Sequence, residues 1–145
     1  MSFQVLLIED SPGDARLTRE AFQGANSAVE LHVAVDGLEA LAFLDKGKTA
    51  PVRSPDLILL DLNLPRMDGR EVLAQIKDDE RLRTIPTVVL TTSEAEADIV
   101  TSYQLQANAY LSKPVELDAF EALVASISDF WLARVTLPQK NLADG

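Results

Sequence analysis

Acidic, hydroxyl and amino side chains follow short apolar runs at four places in this 145-residue sequence. Glu9 and Asp10 follow one run, and Asp61, Thr91 and Lys113 each follow or end another. Closely spaced carboxylates repel one another, and Mg²⁺ is a hard cation that takes such oxygen ligands. A carboxylate beside Mg²⁺, a lysine ammonium and a hydroxyl donor can attack phosphorus in line. These residue types therefore predict a magnesium-dependent site at which Asp61 becomes phosphorylated.

Each of these residues also has an ordinary structural explanation when it is taken alone. An acidic residue after a strand is often only a helix N-cap, Thr91 is a common type of strand residue, and a lone lysine is usually a solvated surface charge. Ser93 and Glu96 have the spacing of a capping box, which predicts the start of a helix. The coincidence at successive strand ends favours a shared site over these separate explanations.

The apolar runs have the length and composition of buried parallel strands. Residues 5–8, 57–60 and 87–90 show no polar alternation, which is typical of central strands covered on both faces. Residues 29–35 alternate between apolar and polar side chains, which predicts a half-exposed edge strand. Residues 109–112 form a short fifth strand candidate.

Apolar residues at helical spacing separate the strands, and the last such segment covers residues 117–134. This alternation predicts an α/β fold with a five-stranded parallel sheet, doubly wound, with helices on both faces. Ligands of such sheets bind at the carboxyl ends of the strands, where the acidic and polar residues fall. We predict a single domain over residues 1–134, followed by a C-terminal tail over residues 135–145.

Composition excludes several classes of function. The chain has 13 Lys and Arg against 23 Asp and Glu, a net charge of −10, and such a protein is a poor ligand for nucleic acid. The absence of cysteine excludes disulfides and thiolate metal sites. No apolar stretch reaches the roughly 18 residues of a membrane helix, and the N-terminus lacks the basic region of a secretory signal. We therefore expect a cytoplasmic protein with no membrane partner.

The same residues resemble the receiver domain of two-component response regulators. The resemblance covers about residues 4–130. It implies the flavodoxin-like strand order 2-1-3-4-5. The matching motifs are Glu9-Asp10, the apolar run ending in Asp61, Leu64-Pro65 with Gly69, Thr91, and Lys113-Pro114.

The resemblance implies that Asp61 accepts a phosphoryl group from a phosphohistidine of a sensor histidine kinase. Glu9, Asp10, Asp61 and the backbone carbonyl of Asn63 would bind Mg²⁺. Signalling would then proceed through phosphorylation-dependent contacts with other proteins.

For the response to phosphorylation, the resemblance implies that Thr91 and Lys113 bind phosphate oxygens. Tyr110 would be the switch aromatic that moves inward as Thr91 moves. The Lys113–Pro114 peptide bond would be cis. Thr92 departs from the family pattern, because a very small residue is usual there, and we expect its side chain to narrow phosphate access.

Within the receivers, the chain is similar to stand-alone regulators that are paired with phytochrome histidine kinases, which implies a kinase of that type as partner. This similarity rests on residues 9–14, 16–18, 90–93, 130–132 and 136–138. Phe130 and Trp131 are adjacent and cannot both face the core, so an exposed apolar patch on the fourth and fifth helices and the tail would support a homodimer. Trp131 could equally do no more than close the core.

Two other functions compete with the phosphoacceptor. One is a receiver-like adaptor that acts without phosphorylation, which the complete set of Asp10, Asp61, Thr91 and Lys113 disfavours. The other is an aspartate-nucleophile phosphatase of the haloacid dehalogenase type. Those enzymes place an aspartate general acid two residues after the nucleophile, whereas Asn63 cannot donate a catalytic proton. We therefore expect no enzymatic activity.

Overall fold

The structure is a computed structural model, and it describes residues 2–26, 28–49 and 54–138. Five strands alternate with five α-helices, and the last helix continues into a π-helical segment. The strands are β1 (Phe3–Ile8), β2 (Val29–Ala34), β3 (Leu57–Leu60), β4 (Thr87–Thr91) and β5 (Ala109–Ser112). The helices are α1 (Pro12–Ala25), α2 (Gly37–Thr49), α3 (Gly69–Asp78), α4 (Glu96–Gln104) and α5 (Leu117–Ile127), and the π-helical segment is Ser128–Arg134.

The strands form one parallel sheet in the order β2-β1-β3-β4-β5, which confirms the expected doubly wound fold. The register aligns the strand ends, because Ile8 lies opposite Leu60 and Thr91 lies opposite Ser112. The residues that follow these positions therefore emerge side by side at the carboxyl edge of the sheet.

The sheet divides the apolar core into two halves. Successive strand residues point to opposite faces, so each strand contributes to both halves. The half on the α2 and α3 side includes Leu6, Ile8, Leu44, Ile58, Leu60, Val72, Leu73 and Ile76. The half on the α1 and α5 side includes Val5, Leu7, Phe22, Leu57, Leu59, Phe120, Val124 and Ile127.

The helices α1 and α4 begin in different ways. Ser11 caps α1, accepting a hydrogen bond from the Asp14 N–H at 3.2 Å. The predicted capping box at Ser93 is wrong, because the N-cap of α4 is Ala95 and its side chain makes no capping bond. The Ser93 hydroxyl lies in the preceding loop and donates to Asp98 Oδ2 at 2.6 Å.

The predicted helix over 117–134 changes its hydrogen bonding after Ile127. In the π-helical segment the bonds span five residues, and the Val135 N–H donates to the Phe130 carbonyl at 2.8 Å. Trp131 packs against the core, whereas Phe130 is 53% exposed. The adjacent aromatics thus face different surroundings. The division between domain and tail stays a prediction, and residues 139–145 of that tail lie outside the described residues.

Gly69 begins α3 against the backbone that follows β3, and no side chain fits there. A Cβ atom at this position would lie 2.3 Å from the Asp61 carbonyl oxygen and 2.6 Å from Leu62 Cα. We expect Gly69→Ala to lower the free energy of unfolding by about 3 kcal/mol, because backbone must move. Urea denaturation measures this. Gly24→Ala is the matched control, since its Cβ would meet nothing within 4 Å. Equal stability of the two variants would contradict the prediction.

Candidate functional site

Three carboxylates meet at the carboxyl edge of the sheet. Glu9 follows β1, Asp10 is next to it, and Asp61 follows the neighbouring strand β3. One carboxylate oxygen from each lies within 4.8 Å of the others. The side chains of Glu9 and Asp61 are only 2% and 9% exposed, whereas Asp10 is exposed. The parallel strands thus concentrate negative charge where water can stabilise little of it.

Lys113 supplies a positive charge to this cluster from the end of β5. Its ammonium donates to the carboxylate of Glu9, to Asp61 Oδ2 at 3.1 Å, and to Asp14 Oδ2 at 3.0 Å. The Lys113 side chain is 6% exposed. Sequence reasoning did not include Asp14 in the site. Its only signal was an acidic residue in the first turn of α1, which is common because the helix dipole favours it.

The second oxygen of Asp61 is also fixed. The Thr91 hydroxyl donates to Asp61 Oδ1 at 2.8 Å, and the Asn63 N–H donates to the same atom at 3.1 Å. Thr91 is fully buried at the end of β4, whereas Thr92 is exposed. Both carboxylate oxygens of Asp61 therefore accept hydrogen bonds that hold the group in one orientation. The expected effect of Thr92 on phosphate access stays a prediction.

Burial and charge act against each other in this cluster. Burial raises the pKa of Glu9 to about 7, with the Asp61 charge adding to the effect and Lys113 opposing it. Burial by itself would lower the pKa of Lys113, but its bond to Glu9 and the charges of Glu9 and Asp61 raise that pKa above its ordinary value. Lys113 is therefore a permanent cation, and the carboxylates around it still outnumber it.

The donor set fits a small divalent cation. Glu9, Asp10 and Asp61 offer only oxygen ligands, and a hard cation such as Mg²⁺ binds to one or two carboxylates with water completing its shell. Asn63 lies two residues after Asp61, and its carbonyl as a further ligand stays a prediction. The cation would offset the carboxylate charge that Lys113 leaves unneutralised.

Tyr110 lies on the edge strand β5, beside β4. Its hydroxyl donates to the Ser93 carbonyl at 2.9 Å, and its ring packs against the α2 and α3 half of the core. The ring orientation is thus tied to the loop between β4 and α4. Its role as a switch stays a prediction.

Two further expectations concern the site and its surroundings. The Lys113–Pro114 bond is trans, so the cis expectation is wrong. Trans is also the isomer that the general preference before proline favours, by about 0.5–1 kcal/mol. Within the described ranges, each helix is too short or too polar to span a bilayer.

Comparison with known proteins places these features in a family. The model of the response regulator receiver domain matches residues 5–125. The chain is 49% identical to response regulator Rcp1 of Synechocystis sp., over 92% of both proteins. It is 40% identical to the probable methanogenesis regulatory protein FilR2 of Methanothrix harundinacea, over 90% of this chain and 84% of that protein.

Solved structures agree with the sequence comparison. The Mn²⁺-bound form of Rcp1 superposes with a TM-score of 0.87 at 48% identity, over 94% of this chain and 99% of that one. The phosphorylated cyanobacterial phytochrome response regulator RcpA superposes with a TM-score of 0.91 at 46% identity, over 96% of this chain and all of that one. This chain therefore belongs to the response regulator receiver domain family.

Proposed function

We propose that this protein accepts a phosphoryl group on Asp61 from a sensor histidine kinase and signals through phosphorylation-dependent contacts with other proteins. The observation that carries this proposal is the fixed carboxylate of Asp61. It is held by Thr91, Asn63 and Lys113 beside two further carboxylates. A nucleophile held in one orientation needs little reorganisation before it attacks.

In the transfer step, a carboxylate oxygen of Asp61 attacks the phosphorus of a phosphohistidine. The phosphorus–nitrogen bond breaks, the histidine leaves with the electron pair, and it takes up a proton. The ammonium of Lys113 and the hydroxyl of Thr91 already contact Asp61, so they are placed to bind oxygens of the phosphoryl group. Side-chain donors of this kind stabilise the negative charge of the transferring group.

We propose Mg²⁺ as the cation, bound by Glu9, Asp10, Asp61 and the carbonyl of Asn63. When bound, it would neutralise charge on the phosphoryl oxygens. The all-oxygen donor set supports a hard cation, and a related protein, Rcp1, has been solved in a Mn²⁺-bound form.

We propose a phytochrome-type histidine kinase as the partner, because the chain is 46% identical to a protein described as a cyanobacterial phytochrome response regulator. A cytoplasmic location follows from this proposal, since such a kinase draws its phosphoryl group from ATP. A receiver-like adaptor that works without phosphorylation is the alternative function.

Intact-mass spectrometry tests the proposal. The protein is incubated with acetyl phosphate, with and without Mg²⁺, and we expect a gain of one phosphoryl mass that requires the cation. A phytochrome-type kinase with ATP should produce the same gain faster than an unrelated histidine kinase. No gain under any of these conditions would favour the adaptor.

We also propose a homodimer through α4, α5 and the tail. Val100 and Tyr103 on α4 and Phe130 beyond α5 are large apolar residues left 44%, 49% and 53% exposed. Phe130→Ser is expected to weaken self-association roughly tenfold, as measured by analytical ultracentrifugation. Val35→Ser, which removes an exposed apolar residue just after β2, is the control. A wild-type protein that stays monomeric at high concentration, with and without phosphorylation, would contradict the dimer.

A further inference from the structure

The ammonium of Lys113 has no hydrogen-bond donor to spare. A lysine ammonium carries three N–H donors, and Lys113 contacts three carboxylates, those of Glu9, Asp14 and Asp61. A phosphoryl oxygen that arrives at Asp61 can bond to this ammonium only by replacing one of the three contacts. The identity of the contact that is given up therefore affects how tightly the phosphoryl group is held.

The three contacts differ in the cost of breaking them. Glu9 and Asp14 keep their carboxylate charge when Asp61 bonds to phosphorus, and the side chain of Glu9 is only 2% exposed, so it regains little water on losing the ammonium. The side chain of Asp14 is 38% exposed and can be hydrated when it is released. A partly solvated ion pair costs far less to break than a buried one. The contact between Lys113 and Asp14 is thus the one most easily exchanged for a phosphoryl oxygen.

The local structure of α1 shows that Asp14 does not turn back to cap its own helix. Asp14 is three residues after the N-cap Ser11, where an acidic side chain in a capping box would accept from the N-cap N–H. Here the Ser11 N–H donates to Glu9 Oε2 at 3.2 Å. The Asp14 carboxylate instead reaches Lys113.

We propose that Asp14 competes with the phosphoryl group for the ammonium of Lys113 and so lowers the affinity of the site for a phosphoryl group. The inference rests on the proposed phosphorylation of Asp61. Asp14 is a positioning residue in this scheme, since it acts through Lys113. Its negative charge also opposes the approach of the phosphoryl dianion, which acts in the same direction.

Beryllofluoride, a phosphoryl analogue that binds to aspartate, tests the competition without a hydrolysis step. Its dissociation constant in saturating Mg²⁺ is measured by calorimetry for the full chain. We expect Asp14→Asn to bind the analogue roughly two- to tenfold more tightly than wild type. Asp14→Glu keeps the charge on a longer arm and should return the affinity toward the wild-type value. Asp118→Asn makes the same change in the first turn of α5, and we expect no effect from it.

The outcomes separate the inference from the function on which it rests. If wild type binds the analogue and gains phosphoryl mass, but Asp14→Asn binds no more tightly than Asp118→Asn, the competition is refuted and the proposed function stands. Weaker binding by Asp14→Asn also refutes it, because Asp14 would then assist Lys113. If wild type neither binds the analogue nor takes up phosphoryl mass, both proposals fall. Both asparagine substitutions remove a negative charge from the first turn of a helix, so both should lower thermal stability to a similar extent. An affinity gain found only in Asp14→Asn therefore cannot come from the helix dipole.

Discussion

Asp61→Asn is expected to abolish the gain of phosphoryl mass that wild type shows with acetyl phosphate and Mg²⁺. The amide that replaces the carboxylate has no nucleophilic oxygen anion, so the covalent step loses its attacking group. Asparagine has almost the same shape, and its carbonyl oxygen can still accept from Thr91 and the Asn63 N–H. We therefore expect the fold to persist while phosphorylation falls by several orders of magnitude, as measured by intact mass over time.

Asp56→Asn is a matched control for this experiment. Asp56 is also buried and also flanks β3, but it lies at the opposite end of the strand, where it accepts from the Gln4 N–H at 2.8 Å. The Asp56→Asn substitution should lower the stability of the protein and leave phosphorylation intact. An Asp61→Asn protein that gains phosphoryl mass at the wild-type rate would show that another residue is the acceptor.

Lys113→Ala is expected to lower the stability of the protein and to uncouple phosphorylation from signalling. Removing the ammonium leaves the buried carboxylates of Glu9 and Asp61 without their cation, and breaking such a buried pair costs about 3–5 kcal/mol. Added Mg²⁺ should restore part of this loss, so the melting temperature of the variant should rise more with Mg²⁺ than that of wild type. Phosphorylation should remain possible, but without coupling to a conformational change.

The pH dependence of this variant gives an independent check. Lys113 lowers the pKa of Glu9, which burial otherwise raises, so the variant should have a Glu9 pKa above about 7. A carboxyl group whose pKa is higher in the folded protein destabilises it at high pH, and the penalty disappears once the group is protonated. The stability gap between variant and wild type should therefore narrow as the pH falls from above the Glu9 pKa of the variant to about 7, the Glu9 pKa of wild type, and stay constant just below that.

Lys77→Ala is the control for the cation effect. Lys77 is half-buried, and its ammonium donates to neutral oxygens of Arg83, Ile85 and Asn108. Its removal should destabilise the protein with no special recovery in Mg²⁺. Equal recovery in both variants would mean that Lys113 does not neutralise the metal-binding carboxylates.

Much of the fold follows from the sequence because burial on both faces of a sheet demands apolar side chains without alternation. Residues 57–60 meet that demand and form β3, and the alternating segment after residue 28 forms the edge strand β2. The sequence also predicted that Glu9, Asp61 and Lys113 lie close together. Parallel strands end at one edge, so residues that follow them become neighbours there.

The direction of individual side chains was not predictable in the same way. Asp14 could have capped α1, and only the position of Lys113 in three dimensions decides that it does not. Ser93 had the spacing of a cap, but its hydroxyl bonds to Asp98 and the helix begins later. The apolar period of residues 117–134 does not distinguish hydrogen bonds that span four residues from those that span five. The π-helical segment could therefore not be predicted from the apolar period.

The division of the core by the sheet limits which substitutions can compensate for one another during evolution. A cavity opened by shortening Leu6 faces the half that contains Leu73, and a larger neighbour on that side can refill it. Enlarging Phe120 cannot, because it belongs to the other half and the strand backbones lie between. Paired changes in descendants of this sequence should therefore arise within one half of the core, and changes in opposite halves should accumulate independently.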